Sequence, residues 1–168
     1  KVCIYGASYG GYACLAGLAF TPELYACGVS LNGPSNQANR MKKFYLDDPE
    51  LSQRVSPSCH VDNICAPLLL GHGKLDNIVP HAQSDDMARR MFLKNKKFQY
   101  VLYRDEDHSF SKHHNQLDFY GRMENFLAEH LGGRAEPFES VQGVDPLVPQ
   151  SYYKYLEGRR NLLSRLLR

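Results

Sequence analysis

Residues 1–12 read Lys1-Val-Cys-Ile-Tyr-Gly-Ala-Ser8-Tyr-Gly-Gly-Tyr12. The apolar run Val2 to Tyr5 predicts a buried strand, and it ends abruptly in Gly6-Ala7-Ser8-Tyr9-Gly10-Gly11. A strand that turns at once into a helix strains the backbone at Ser8 and crowds the positions two before and two after it, so only small residues are expected there. Such a turn lifts the serine hydroxyl off the carboxyl end of the strand and places the first helical N–H groups beside it. A helix of small residues, Tyr9 to about Phe20, supplies the required context.

Working outward, Ala26 to Leu31 predicts a second strand ending at Asn32-Gly33-Pro34. Residues 35–57 read as a polar, irregular excursion with one short helix near Gln37 to Tyr45. Pro67 to His72 is a continuous apolar run, the pattern of a strand covered on both faces of a parallel sheet. Pro80 suits the first turn of a helix running to about Lys94, with Gln83, Met87, Met91 and Phe92 as its apolar stripe. Phe98 to Tyr103 predicts a fourth strand, followed by a polar loop from Arg104 to His114. A last helix, about Gln116 to Leu131, is expected to turn Leu117, Tyr120, Phe126 and Leu127 inward and to stop at Gly132-Gly133. The alternation predicts an α/β fold with a mostly parallel sheet of about four strands flanked by helices.

Composition narrows the function classes. The chain has 168 residues, the length of one domain, and a net charge of +2 that is too balanced to imply a nucleic-acid partner. No stretch approaches the roughly 18 apolar residues of a membrane span. Five cysteines, three of them in apolar segments, argue against a disulfide framework and for a reducing compartment such as the cytoplasm. Cys59, His60 and Cys65 lack a second ligand pair at finger-like spacing, so no metal is expected. Because a strand begins at the second residue, the chain is expected to be part of something longer, partnered by a missing amino-terminal half or by further copies of itself.

Ser8, Asn32, Asp76 and His108 each follow the carboxyl end of a successive predicted strand, and in an open parallel sheet those ends face one crevice. A serine hydroxyl needs a base to become nucleophilic, and imidazole suits that role near neutral pH. A carboxylate behind the imidazole fixes its tautomer. The chain order Ser8, Asp76, His108 is that of α/β-hydrolases. His113 and His114 share a loop with His108 and are its rivals. Asp105, Glu106 and Asp107 read as a solvated acidic turn, and His72 as a structural hydrogen-bonding residue.

These residues resemble the carboxyl-terminal part of the catalytic domain of the prolyl oligopeptidase family of serine peptidases. The resemblance rests on Gly6 to Tyr12, Gly33 to Asn36, Ser56-Pro57, the block Pro67 to Pro80 with Gln83-Ser84, Asp105-Glu106 before His108, Asn115, and His130 to Arg134. It covers roughly residues 1–137 and makes the fold a partial α/β-hydrolase. It implies Ser8 as nucleophile, His108 as base, Asp76 as its orienting carboxylate and the Tyr9 N–H as one half of an oxyanion hole. Tyr12, Asn36, Ile78 and Val79 would border the pocket for the residue preceding the scissile bond, although Ile78 and Val79 fit ordinary packing equally well. The implied reaction is hydrolysis of short peptides through an acyl-enzyme, with no cofactor.

Three departures bear on activity. The strands carrying the second oxyanion donor are absent from this sequence, Asp107 stands where glycine is usual before the histidine, and the excursion between Asn36 and Pro57 is short. A glycine there would suit positive φ, which Asp tolerates at some cost. An esterase acting on small esters and an inactive binding or assembly module therefore stay open as alternatives. Residues 138–168 form a separate unit by composition, with Tyr152, Leu156, Leu162 and Leu166 among five basic side chains. They suggest a basic amphipathic helix for a partner or membrane surface, or a tail docked on its own domain.

Overall fold

The computed structural model describes residues 1–37, 48–139 and 141–147. The predicted helix near residues 37–45 and the amphipathic helix of the tail fall almost wholly outside them.

Strands β1 (Cys3–Ala7), β2 (Cys27–Leu31), β3 (Leu68–Gly73) and β4 (Phe98–Tyr103) form one parallel sheet in the order β1-β2-β3-β4. Helix α1 (Tyr9–Phe20) joins β1 to β2, and α3 (Ala82–Leu93) joins β3 to β4. The segment between β2 and β3 carries α2 (Pro49–Arg54) and a 3-10 helix (Pro57–Asn63). The long helix α4 (His113–Leu131) follows β4.

Side-chain alternation explains the unbroken apolar run of β3. Leu68 and Leu70, with Tyr100 and Leu102 of β4, enter a core built with Leu15 and Leu18 of α1, Ile64, and Met87 and Met91 of α3. Leu69, with Val29, Leu31, Val101 and Tyr103, enters a second core under Phe119 and Phe126 of α4. Each fully buried leucine contributes on the order of 2 kcal/mol, so both layers hold the sheet's strand ends in fixed relation.

Helix α1 buries Gly11, Cys14, Leu15, Leu18 and Ala19 at the i, i+3, i+4 spacing of one face. The buried stripe of α3 is Ser84, Met87, Ala88 and Met91, one position off the expected Gln83 and Phe92. The larger correction concerns α4, which starts at His113 and turns Asn115, Asp118, Phe119 and Phe126 inward. Leu117 and Tyr120 are exposed. The cause is polar: Tyr103 donates to Asp118 Oδ2 at 2.6 Å, and Arg122 Nε donates to the same oxygen at 2.7 Å. Satisfied hydrogen bonds let Asp118 and Asn115 be buried, and they set the rotation of the helix.

The excursion is also more regular than expected. Asp48 caps α2 by accepting the Leu51 N–H at 2.9 Å, and prolines open both α2 and the 3-10 helix. Beyond α4, Leu147 makes an antiparallel bridge to Leu102 with hydrogen bonds of 2.8 and 2.9 Å, so the described start of the tail docks on β4. No helix among the described residues is long and apolar enough to cross a membrane.

Candidate active site

The turn at residues 6–10 is built by close backbone contact. Ser8, at the N-cap of α1, has φ 55° and ψ −120°, a sparsely populated conformation for a residue with a side chain. Its N–H is tied to Leu31 O at 2.9 Å, which joins the turn to the end of β2. A Cβ on Gly6 would lie 2.2 Å from the Gly10 carbonyl oxygen, so the first glycine is sterically required. A Cβ on Gly10 would meet nothing within 4 Å, which corrects the expectation that both flanks are equally crowded.

The four strand-end residues do converge. His108 Nε2 lies 2.9 Å from Ser8 Oγ, and His108 Nδ1 lies 2.7 Å from Asp76 Oδ2. A carboxylate oxygen has no proton to give, so Nδ1 carries the hydrogen and Nε2 is the ring nitrogen that faces the Ser8 hydroxyl. Asn32, buried and at φ 50°, spans two strands of the site. Its Oδ1 accepts the Gly73 N–H at 3.0 Å, and its Nδ2 donates to His108 O at 2.9 Å. His113 and His114 lie in the first turn of α4, and His114 sits 3.9 Å from exposed Asp105 rather than near Ser8.

Asp76 is held by more than His108. Its side chain is fully buried, and Oδ1 accepts the N–H groups of Ile78 and Val79 at 2.9 and 2.8 Å. Burial alone would push this carboxyl up. Donors from His72, His108, Val79 and Ile78 outweigh burial and hold it well below the ordinary carboxylate range.

Glu106 has a different environment from its acidic neighbours. Expected in a solvated acidic turn, it is fully buried. Its carboxylate accepts Ser111 N at 2.8 Å, Lys112 N at 2.9 Å and Asn115 Nδ2 at 2.9 Å, closing the loop that carries His108 onto the start of α4. Three donors gathered by the loop repay the burial of a charge. Asp105 and Asp107 are exposed, as expected. Asp107 is not among the residues with positive φ, whereas Phe110, two positions after His108, has φ 47°. The left-handed position in this loop is thus Phe110 and not Asp107.

The remaining candidates surround Ser8 unevenly. Tyr9 opens α1, so its main-chain N–H belongs to the helix's first turn. The Tyr12 hydroxyl donates to Val55 O at 3.0 Å, and burial followed by the neighbouring Tyr9 pushes this phenol above its ordinary pKa, keeping the donor protonated. Asn36 is half-buried, with its N–H on Gln83 Oε1 at 2.7 Å. Ile78 is 68% exposed, whereas Val79 is 8% exposed and packs beneath the loop. A cavity of about 290 Å³ adjoins Ser8 and His108, lined also by Tyr5, Phe110, Gln116 and Tyr120.

Residues 1–134 match the model of the prolyl oligopeptidase family. The chain is 41% identical to dipeptidyl aminopeptidase BIII of Pseudoxanthomonas mexicana over 157 residues, covering 82% of this chain and 23% of that protein. It is 33% identical over 162 residues to dipeptidyl peptidase family member 6 of Caenorhabditis elegans, covering 84% of this chain and 22% of that protein. The chain thus spans about a quarter of the length of these relatives. Its fold matches a puromycin-hydrolyzing peptidase of Mycobacterium tuberculosis with a TM-score of 0.76 at 24% identity, over 83% of this chain and 23% of that one. A Pyrococcus horikoshii acylaminoacyl peptidase gives 0.72 at 23% identity, over 84% and 26%. The α/β-hydrolase architecture, the serine turn at the end of β1 and the matched stretch of residues together make this chain a member of the prolyl oligopeptidase family of serine peptidases.

Proposed function

We propose that the chain carries the nucleophile, base and orienting carboxylate of a peptidase that hydrolyses short peptides through an acyl-enzyme. The observation that carries this reading is the unbroken hydrogen-bonded path from Ser8 Oγ through the His108 ring to Asp76. The relatives named as dipeptidyl peptidases support peptides as the substrate class.

In this mechanism Ser8 Oγ attacks the scissile carbonyl carbon as its proton passes to His108 Nε2. The buried charge of Asp76 stabilises the imidazolium that forms, and the Tyr9 N–H at the head of α1 stabilises the oxyanion. Collapse of the tetrahedral intermediate breaks the C–N bond, and Nε2 returns the proton to the leaving amine. Water, deprotonated by the same nitrogen, then releases the acyl group and regenerates Ser8. Besides the substrate and this water, the mechanism draws on protein groups alone. Tyr12 and Asn36, with Ile78 and Val79 across the site, would border the residue preceding the scissile bond. A second oxyanion donor would come from an amino-terminal half or a further copy of the chain; losing one such donor slows acyl transfer by a factor of roughly a hundred to a thousand.

A fluorophosphonate probe tests this directly. Labelling that disappears in Ser8→Ala is expected, with turnover of aminoacyl or acylaminoacyl p-nitroanilides as well as of p-nitrophenyl esters. A folded sample that does not label would favour a binding module, and turnover of esters alone would favour an esterase.

A further inference from the structure

His72 lies on β3, four residues before Asp76, and its side chain is fully buried. Its Nδ1 is 2.7 Å from Ser84 Oγ on α3, and its Nε2 is 2.8 Å from the Val79 carbonyl oxygen. The same Nε2 is 3.3 Å from Asp76 Oδ2. A carbonyl and a carboxylate have no proton to offer, so Nε2 carries the hydrogen, and Nδ1 is left to pair with the Ser84 hydroxyl.

These contacts bring His72 against both the Val79 carbonyl and the Asp76 carboxylate. Val79 donates its N–H to Asp76 Oδ1 and receives His72 Nε2–H at its carbonyl, while His72 reaches the other oxygen of the same carboxylate. With Oδ1 pinned by Ile78 and Val79, the carboxylate can still tilt about that edge. Oδ2 is the oxygen that faces His108, and His72 approaches it from the sealed side.

We propose that His72 is a positioning residue for this carboxylate: its Nε2–H, steadied by Ser84, fixes Asp76 Oδ2 where the His108 ring meets it. The inference rests on the assignment of Ser8, His108 and Asp76 given above. A ring that merely filled space would need neither the donor nor the Ser84 hydroxyl. His72 acts through Asp76 and touches no reacting atom.

The test combines the rate of fluorophosphonate labelling at Ser8 with the proton NMR resonance of His108 Nδ1–H, which reports its hydrogen bond to Asp76. In His72→Leu, labelling is expected to slow by about tenfold, the scale of one hydrogen bond to a charged group, and the resonance to move upfield. In His72→Gln, whose amide keeps an N–H donor, most of the rate and the resonance position are expected to return. A folded His72→Leu that labels within about twofold of wild type with an unmoved resonance would overturn the proposal, and so would equal impairment of the Leu and Gln variants. If His72→Leu does not fold, Ser84→Ala decides: slower labelling with a moved resonance supports the proposal, and wild-type values of both overturn it. Absence of labelling in the wild type would instead sink the catalytic assignment, while the resonance measured across these variants would still show whether His72 holds Asp76 against His108.

Discussion

The main-chain carbonyl of Glu106 accepts the N–H of Leu75 at 2.8 Å, joining the loop that bears His108 to the loop that bears Asp76. The same residue's buried carboxylate collects the N–H groups that begin α4. One residue thus sets the spacing of two loops that lie on neighbouring strands.

Glu106→Gln tests that role. An amide cannot accept from all three donors at once, and its NH2 group would face an N–H. The variant should lose about 1–3 kcal/mol of stability, measured by its urea midpoint, and should label more slowly with a fluorophosphonate at full occupancy of the folded state. An unchanged midpoint would remove Glu106 from this role.

The two glycines flanking Ser8 should behave oppositely. Gly6→Ala forces a Cβ to within 2.2 Å of the Gly10 carbonyl, so it should destabilise by several kcal/mol or prevent folding. Gly10→Ala has open space and a helical position, so it should stabilise by about 0.5–1 kcal/mol. Thermal melts of the pair check this, and equal effects would refute the asymmetry.

Ser8 holds a backbone conformation that glycine adopts freely, with φ at 55°. Relief of that strain, offset by the greater flexibility of glycine in the unfolded chain, should make Ser8→Gly about 1 kcal/mol more stable than wild type. It should also abolish labelling. A lower melting temperature for Ser8→Gly would show that the turn is not strained.

Acid should unfold the protein partly through Asp76. Its carboxyl is held below the ordinary value of 3.8 in the folded state, so the unfolded chain binds its proton more readily. Its contribution is complete above the ordinary value and is lost as the pH falls through the lowered folded value. Between pH 5 and pH 2, wild type should therefore lose stability more steeply than Asp76→Asn, in denaturant titrations at each pH. Parallel slopes would exclude Asp76 as a source of acid sensitivity. Asp105 is lowered too, chiefly by its hydrogen bond to Lys112, but it is exposed and screened by solvent.

The parts of this architecture written in short-range pattern were legible from the residues. The unbroken apolar run of β3, the small-residue turn at Ser8 and the succession of strand ends carrying Ser8, Asn32, Asp76 and His108 each reflect local geometry. The polar interior was not legible. Glu106 sits between two other acids and reads as solvated until Ser111, Lys112 and Asn115 fold back on it. Asp118 hides for the same reason, and with it the rotation of α4, because periodicity counts apolar residues and not hydrogen bonds between distant segments. The neighbours Ile78 and Val79 both donate to Asp76 yet take opposite environments, and only Val79 is also tied inward, through its carbonyl, by His72. The helices of the excursion are one or two turns long, too short for periodicity to show.

Leu147 already engages both main-chain groups of Leu102 on the outer side of β4, whereas β1 has β2 as its one partner among the described residues. Among the described residues, β1 is thus the side of the sheet open to a further strand. A polypeptide that lengthened the sheet there would pair with the strand that ends at Ala7, beside the serine proposed as the nucleophile.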